Sequence, residues 1–413
     1  MTPSRPRSFA ACLAVGVLGV ACGSARAPGS TGAASVGSGA FETTAGSDAD
    51  TTAATGDASD EGSTAGVDAS DDGTQDGGGD GSGDTTSGSE PLPPMVQQQF
   101  LIGYNEAWFG TAFGTDLTSD FDQAYVESVF DGIVEDGGHL VRVWLMPVPQ
   151  GVTLGETVPQ SQGVSDELLG NLDVVLHQAR VRGLWVYLTL LDANTITNLG
   201  GELQPLHDWG VRVLTNGGGE RDAFVVHVLE PVLDVVDDHQ DNLFGFDIVN
   251  EIEAAIQRGV FADPVAGPRE FIAAMATAIH GHSPWLRVTS TAGWGGAQYD
   301  ISGGLFSGLG LDFYDLHVYS DDGVFAGATA MCQRVAQDGV PIYLGEFGQS
   351  SELVDDQLQF DATASFLNNA QALCFSGAFA WRYDSAESWW SFVRPDGSRR
   401  PAVQIMQVFG AQP

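Results

Sequence analysis

Two glutamates, each at the end of an apolar run, are the residues of this 413-residue sequence whose types and spacing best suit chemistry. Glu251 follows the run LFGFDIVN, which ends in Asn250, and Glu346 follows the run IYLG. Short apolar runs predict buried strands, and the strands of a parallel barrel bring their carboxyl ends to one face. Two carboxyl groups that meet at such a face are what hydrolysis of a glycosidic bond requires.

The two glutamates need opposite protonation states, because one carboxyl group protonates the leaving oxygen while the other stabilises or traps the positive sugar centre. A cation from Arg142, in the segment VRVW, would hold the pKa of Glu346 low. Glu251 would then stay protonated beside that negative charge. We therefore expect a retaining double displacement, with carboxyl groups about 5 to 5.5 Å apart.

Each of these residues also has a structural alternative. Glu251 or Glu346 alone would suit the start of a helix, where the helix dipole favours an acid. Arg142 could pair with a core carboxylate, and His317 could be a hydrogen-bonded core histidine. The combination of both glutamates with Arg142, His317 and Tyr319 favours catalysis over these alternatives.

The elements that must position these residues alternate along the chain. Eight runs fit strands, at residues 100 to 105, 139 to 145, 184 to 190, 243 to 250, 286 to 291, 312 to 318, 341 to 346 and 377 to 382. Helical spacing marks residues 122 to 136, 165 to 182, 221 to 237, 268 to 280, 325 to 338 and 355 to 373, and is weak between the fifth and sixth strands. Residues 95 to 413 therefore predict an α/β fold, a closed (β/α)₈ TIM barrel, rather than an open sheet with a glycine-rich nucleotide turn.

Polar and aromatic residues follow the predicted strands, where the active site of such a barrel is built. In chain order they are Asn105, Trp108, Arg142, Asp192, Asn250, Glu251, Trp294, His317, Tyr319, Glu346 and Trp381. Three more tryptophans fall after strand ends (Trp209, Trp389 and Trp390), and three fit core packing (Trp144, Trp185 and Trp285). Sugars pack their C–H faces on indole rings, so such a mouth suits a polysaccharide. Core packing remains the better interpretation for any single tryptophan except Trp381.

The folded part, about residues 97 to 410, resembles the glycoside hydrolase family 5 type of clan A β-glycanases, which are cellulases and mannanases. The matching segments are VRVW, DIVNE, DLHVYS, YLGEFG and AFAWRYDS, in the same order and with similar spacing. The third strand ends in LLD, without the histidine that many cellulases of the family carry.

The resemblance implies a role for each matching residue. Glu251 would be the acid/base, Glu346 the nucleophile and Asn250 the partner of the sugar 2-hydroxyl. The remaining substrate-binding set would be Arg142, which orients the nucleophile, His317 and Tyr319, which line the subsite of the covalent intermediate, and Trp381, which stacks on the sugar there. We add Asn105 and Trp108 to the substrate-binding residues because they follow the first strand.

The first 94 residues predict an export segment and a linker. Arg5 and Arg7 precede an apolar run at residues 9 to 21, which is too short to remain as a membrane-spanning helix. Cys22 then resembles the acceptor of a bacterial lipoprotein signal, which favours a lipid anchor there over simple cleavage near Ala21 or Ala27. Residues 23 to 94 are rich in Gly, Ser, Thr and Asp and predict a disordered tether. We therefore expect an exported protein, either a cell-surface lipoprotein or a secreted one.

Composition excludes several partners. The formal net charge is −38, with 16 Arg and no Lys, so a phosphate backbone would be repelled and nucleic acid is not an expected partner. Neither HExxH nor a cysteine and histidine cluster occurs, so we expect no metal and no cofactor. We expect a monomer.

Cys332 and Cys374 lie in the folded part, and we interpret them as two buried free thiols on separate helices rather than as a disulfide.

The leading interpretation is an endo-acting β-glycanase that cuts β-1,4-linked mannan or glucan, with mannan slightly favoured by the segments GYNEAW and VRVW. One alternative is an exo-acting β-glycosidase of the same clan, which would have a pocket closed at one end. The other is a carbohydrate-binding surface lipoprotein without activity, although binding alone does not require paired acids.

Overall fold

The computed structural model describes residues 100 to 412, except 112, 157 to 159, 294 to 295, 320 to 326, 350 to 355 and 385 to 389. All of these residues belong to one compact unit, Gly83–Pro413. The predicted export segment, Cys22 and the linker lie outside the described residues, as do Trp294 and Trp389. Among the helices that are described, none has the length and apolar character needed to cross a bilayer.

Parallel strands form a barrel around which the described chain is built. The strands are β1 Leu101–Asn105, β2 Leu140–Met146, β5 Trp185–Asp192, β6 Leu243–Asn250, β7 Val288–Thr289, β8 Thr291–Ala292, β9 Tyr314–Val318, β10 Ile342–Phe347 and β11 Phe375–Ala380. They pair in the order β7-β6-β5-β2-β1-β11-β10-β9-β8. Since only Ser290 separates β7 from β8, these two are halves of one strand, which pairs with β6 on one side and β9 on the other. All eight predicted strands are thereby confirmed, and the sheet closes as a (β/α)₈ barrel.

Helices follow the strands on the outside of the barrel. They are α1 Gln123–Glu135, α2 Asp166–Arg180, α3 Ala193–Ile196, α4 Gln204–Thr215, α5 Glu220–Phe224, α6 Glu230–Asp237, α7 Glu253–Gln257, α8 Ala266–His282, α9 Ala297–Gly303, α10 Ala328–Asp338, α11 Asp356–Ala372 and α12 Ala402–Gly410. A π-helical turn, Val225–Leu229, joins α5 to α6, and 3₁₀ turns lie at Gly201–Leu203 and Gly217–Gly219. The poorly marked helix between the fifth and sixth strands is the short α9.

Local sequence explains where the first long helices begin. The carboxylate of Asp122 accepts a hydrogen bond from the backbone N–H of Tyr125, and the hydroxyl of Ser165 accepts one from Leu168. Such caps satisfy backbone donors that the first turn of a helix leaves without partners. The buried positions of α2 are Leu168, Leu172, Val175, Leu176 and Ala179, a spacing of three and four residues that places one apolar stripe against the sheet.

The loop after β2 carries an antiparallel hairpin that the strand prediction missed. Its strands are β3 Val152–Leu154 and β4 Ser161–Val164. The carboxylate of Glu220 accepts hydrogen bonds from the backbone N–H and the hydroxyl of Ser161, at 2.8 and 2.7 Å. These bonds fix the hairpin to α5, so the loops after β2 and β5 form one wall beside the mouth of the barrel.

A layer of six aromatic side chains and two leucines, here called the aromatic layer, fills the barrel near the amino ends of its strands. Its members are Leu101, Leu140, Trp185, Tyr187, Phe244, Phe313, Tyr343 and Phe379. The guanidinium of Arg287 lies 4.9 Å from the ring centre of Phe244 and 4.8 Å from that of Phe313, which is the range of a cation–π contact. The ring centre of Tyr187 in this layer lies 5.2 Å from the guanidinium of Arg142, so the layer lies directly beneath the polar residues of the barrel.

The interpretation of Cys332 and Cys374 as free thiols is wrong. They form a disulfide, with Cα atoms 5.7 Å apart. Cys332 lies in α10, but Cys374 follows the end of α11 and directly precedes β11. The bridge therefore joins a helix to a strand entry, a proximity that depends on the packing of α10 beside α11 and is not encoded in the spacing of the two residues.

Candidate active site

The barrel brings Glu251 and Glu346 together at the carboxyl ends of its strands. Glu251 directly follows β6, and Glu346 lies in β10. One oxygen of each carboxyl group and one ring nitrogen of His317 all lie within 4.8 Å of one another. Glu251 is 9% exposed and Glu346 is 2% exposed. The two carboxyl groups therefore lie close together, as the sequence predicts.

The backbone of Glu251 adopts a left-handed conformation, with φ of 50°, which is uncommon for a residue with a side chain. Its N–H donates a 2.8 Å hydrogen bond to the hydroxyl of Thr291 in β8. This bond to the neighbouring strand holds the chain in the turn. The turn ends β6 at Asn250 and directs the Glu251 side chain across the mouth.

Arg142 lies fully buried beneath the pair and anchors Glu346. Its Nη1 donates to Oε1 of Glu346 at 2.5 Å and to Oδ1 of Asn105 at 3.0 Å. Its Nη2 donates to Asp247 and to Asn250, both at 3.0 Å. A planar guanidinium that binds four oxygens fixes their relative positions. Arg142 and Asn105 are 0% exposed, so the structure places both beneath the mouth, where they orient other side chains.

His317 lies between the two glutamates. Its Nδ1 is 3.1 Å from Oε1 of Glu251 and 3.5 Å from Oε2 of Glu346. Burial alone would lower the pKa of His317, but the carboxylate of Glu346 and the hydrogen bond to Glu251 outweigh it and raise the pKa to about 9. The imidazole is therefore cationic at neutral pH. The hydroxyl of Tyr319 completes the group by donating a hydrogen bond to Oε2 of Glu346.

The expected direction of the Glu346 pKa is wrong. Burial raises the pKa of Glu346 above its usual value, although the cations of His317 and Arg142 act in the opposite direction. Burial likewise raises the pKa of Asp247 to about 7 despite its ion pair with Arg142. The sequence identifies the cation next to Glu346, but it does not show how completely the carboxyl group is withdrawn from water.

Tryptophans form a cluster beside the glutamates. Trp381 is half-buried at the end of β11, and its ring centre lies 6.0 Å from that of Trp108 and 5.6 Å from that of Trp144. The guanidinium of Arg382 packs 4.2 Å from the centre of the Trp108 ring and forms a 3.0 Å ion pair with the buried Glu106. Trp144, which the sequence favours as core packing, therefore belongs to this cluster.

Two other tryptophans have different positions. Trp209, which falls after a strand end in the sequence, is fully buried in α4, because the loop after β5 is long enough to contain helices with a core of their own. Although Trp209 follows a strand end, its burial confirms core packing as the better interpretation for this single tryptophan. Trp390 packs edge to face on Tyr319, with ring centres 5.2 Å apart.

Sequence reasoning missed Asn194. Its side-chain amide donates a hydrogen bond to Oε2 of Glu251. Asp192 accepts hydrogen bonds from the backbone N–H of Asn194 at 3.2 Å and from the side chain of Asn250 at 2.9 Å. The available signal was the segment LDANT, because an Asp at a strand end favours a turn or helix start that presents the residues after it.

The spacing of Glu251, His317 and Glu346 would also allow them to ligate a metal ion. Hydrogen-bond donors already occupy the carboxyl groups, since Arg142 and Tyr319 donate to Glu346 and Asn194 donates to Glu251. The arrangement is better suited to proton transfer and nucleophilic attack by the two carboxyl groups.

Fold and site together define a class of protein, namely a (β/α)₈ barrel with paired glutamates and a tryptophan cluster at the carboxyl ends of its strands. No family model matches the sequence. The mannan endo-1,4-β-mannosidase of Mytilus edulis is 27% identical over 168 residues, which are 39% of this chain and 41% of that protein. The match therefore spans about two fifths of the length of the relative.

Solved structures of mannanases share the fold. The β-mannanase of the blue mussel Mytilus edulis has a TM-score of 0.57 at 18% identity, and the alignment covers 76% of this chain and 92% of that chain. The β-1,4-D-mannanase of Cryptopygus antarcticus has a TM-score of 0.57 at 17% identity, covering 76% and 90%. At these identities the comparison establishes the barrel. The resemblance to clan A β-glycanases is confirmed, since the relatives are mannanases.

Proposed function

We propose that this protein is a retaining glycoside hydrolase that cuts β-1,4-linked mannan within the polymer. The carboxyl pair carries the proposal, because an oxygen of Glu251 and an oxygen of Glu346 lie within 4.8 Å of each other. Retaining enzymes hold these groups about 5 to 5.5 Å apart, whereas inverting enzymes need about 6.5 to 9.5 Å to admit a water molecule. The short separation supports retention.

The first half of the reaction forms a covalent intermediate. Glu346 attacks the anomeric carbon while Glu251 protonates the glycosidic oxygen, so that the bond to the leaving half of the polymer breaks. Arg142 holds one oxygen of Glu346 and leaves the other beside Tyr319 and His317. The two cations offset part of the burial that raises the pKa of Glu346 and favour its ionised form.

The second half releases the sugar. Glu251, now ionised, takes a proton from a water molecule that attacks the anomeric carbon, and Glu346 departs as the carboxylate. Asn250 accepts from Arg142 and donates to Asp192, which fixes the plane of its amide next to the acid/base. A fixed amide donor at this place suits a sugar hydroxyl, so the role that the family resemblance implies for Asn250 is part of the proposal.

Mannan is proposed over glucan because the similar proteins are mannanases. Trp381 and Trp108 supply flat apolar surfaces next to the carboxyl pair, where a pyranose ring can stack. Internal cleavage is the proposed mode. An exo-acting enzyme would instead release one small sugar from the earliest times, which makes the product pattern the deciding observation.

A reducing-sugar assay on mannan, glucomannan, cellulose, mixed-linkage glucan and xylan tests the proposal. The wild-type protein should release reducing ends from mannan, and Glu251→Gln and Glu346→Gln should each remove almost all of this activity at an unchanged melting temperature. Gln cannot ionise, but it keeps the shape of Glu. Substantial hydrolysis by either variant would mean that the residue is misassigned, and mannan binding with no release of reducing ends would favour the non-catalytic alternative.

The stereochemistry of the product tests the mechanism separately. Proton NMR of the first products of mannan cleavage should show the β-anomer, because two displacements at the anomeric carbon retain its configuration. Initial formation of the α-anomer would establish inversion. A single small sugar as the first product would replace internal cleavage with exo action.

We also propose that the chain is exported and held at the cell surface by a lipid on Cys22, with residues 23 to 94 as the tether, and that it acts as a monomer. The support for export, anchor and tether is the sequence of the first 94 residues. In a bacterial host, wild-type protein should incorporate labelled palmitate and sediment with membranes, whereas Cys22→Ser should do neither. Labelling of the variant would contradict the assignment, and light scattering of the soluble barrel tests the monomer.

A further inference from the structure

The carboxyl group of Glu251 is held by a different donor on each oxygen. Oε1 lies 3.1 Å from Nδ1 of His317, and Oε2 accepts a hydrogen bond from the side-chain amide of Asn194. Asn194 is half-buried at the start of α3, in the loop that follows β5. It contacts the acid/base of the proposed reaction directly.

The loop around Asn194 is fixed on two sides. Asp192, at the end of β5, accepts hydrogen bonds from the backbone N–H groups of Asn194 and Thr195, at 3.2 and 3.0 Å. Arg258 donates to the backbone oxygen of Asn194 at 3.2 Å and to the hydroxyl of Thr197 at 2.8 Å. Because Asp192 also accepts a 2.9 Å hydrogen bond from Asn250, one carboxylate sets the position of both amides that flank Glu251.

From this geometry we infer that Asn194 is a positioning residue that holds the Glu251 carboxyl group in its working orientation. The inference rests on the proposed hydrolase function. A general acid must lie within hydrogen-bond reach of the oxygen that it protonates, and a glutamate side chain near open solvent has several rotamers. The amide of Asn194 selects one of them. As a donor it also favours the ionised carboxylate, which the second half of the reaction needs.

A purely structural role and a positioning role predict different kinetics. Loss of the loop structure would slow the reaction of every substrate alike. Loss of acid positioning slows only substrates whose leaving group needs a proton, because a good leaving group departs as an anion without help. Mannan has a poor leaving group, a sugar hydroxyl, whereas 2,4-dinitrophenyl β-mannobioside has a good one.

The test compares Asn194→Ala with the wild type on both substrates. On mannan kcat/KM should fall about 10-fold to 100-fold, which corresponds to the loss of one hydrogen bond to a charged group. On the dinitrophenyl mannobioside kcat/KM should fall less than about 3-fold, since the first step no longer depends on the acid. The alkaline limb of the mannan pH profile should move to higher pH, because the remaining carboxyl group keeps its proton longer without this donor.

Two further variants serve as an additional test and as a control. Asn194→Asp keeps the shape of the side chain but cannot donate and adds a like charge, so its alkaline limb should move further than that of Asn194→Ala. Asn198→Ala is the matched control, because Asn198 is an exposed asparagine four residues away in the same loop, and its kinetics should equal those of the wild type.

Equal losses on both substrates with an unmoved alkaline limb would overturn the inference in favour of a structural role. Wild-type kinetics in both Asn194→Ala and Asn194→Asp would overturn it outright. Wild-type protein that cleaves neither substrate would instead remove the proposed function, and the inference with it. The isosteric Asp variant and a melting curve for each protein separate all three results from misfolding.

Discussion

Gly293, which directly follows β8, packs tightly against the Glu251 side chain. A Cβ atom added to Gly293 would lie 2.5 Å from Cδ and 2.6 Å from Cγ of Glu251. Carbon atoms in van der Waals contact are about 3.5 Å apart or more. In Gly293→Ala the carboxyl group must therefore move by about 1 Å, which alters its 3.1 Å contact with His317.

The size of this movement sets the expected effect on catalysis. A displacement of about 1 Å in a reacting group costs on the order of 100-fold in rate, so kcat on mannan should fall about that much. Stability should change little, because the Glu251 side chain lies at the mouth and can rotate toward solvent. We expect a loss of about 1 kcal/mol in the free energy of unfolding, which lowers the melting temperature by roughly 2 °C.

Initial rates of reducing-sugar release and a calorimetric melting curve measure the two quantities together. Gly163→Ala is the matched control, because a Cβ atom there has no neighbour within 4 Å, and both its rate and its melting temperature should stay close to the wild-type values. Full activity in Gly293→Ala would refute the reasoning. A fall of 10 °C or more in its melting temperature would show instead that the glycine serves the fold, since about 1 kcal/mol accounts for a few degrees at most.

Two further predictions concern stability. Replacing Cys332 and Cys374 by serine together should lower the free energy of unfolding by about 4 kcal/mol, because the bridge closes a loop with a sequence separation of 42. Urea titration measures this free energy, and an unchanged midpoint would contradict the prediction. Burial raises the pKa of Asp247 to about 7 and of Glu253 to about 8, and carboxylate neighbours outweigh burial to raise that of His317 to about 9. The folded protein therefore holds more protons than the unfolded chain between about pH 4 and 9. These protons stabilise the folded state at acidic pH, and the stabilisation is lost as the pH rises through the raised pKa values. The melting temperature should therefore be higher at pH 5 than at pH 9.

The strands and the paired glutamates could be predicted from the sequence because each depends on a local pattern. The run that ends in Asn250 is mostly apolar, with Asp247 as its one acid, as suits a strand buried on both faces, and its carboxyl end fixes the position of Glu251. The same holds for β10 and Glu346. Alternation with helices then determines the barrel, and the barrel determines that both strand ends share one face.

The features that could not be predicted depend on contacts between distant segments. Asn194 reaches Glu251 only because Asp192 and Arg258 fold the loop after β5 against α7. The direction of the Glu346 pKa depends on the balance between burial and two cations, which requires coordinates. The sequence of a long insertion also does not show whether the insertion lies at the mouth or forms a small core of its own. The loop that contains the buried Trp209 forms such a core.

The aromatic layer fills the barrel near the amino ends of its strands, whereas Glu251 and Glu346 lie at the carboxyl ends. In the proposed reaction, polymer, departing fragment and water would therefore all use the mouth at the carboxyl ends. In a double displacement the water that completes the cycle reaches the anomeric carbon only after the fragment has moved aside. A second sugar chain that enters first would present a hydroxyl in place of that water, so crowding of the entrance by concentrated oligosaccharides should divert the intermediate from hydrolysis to the building of longer chains.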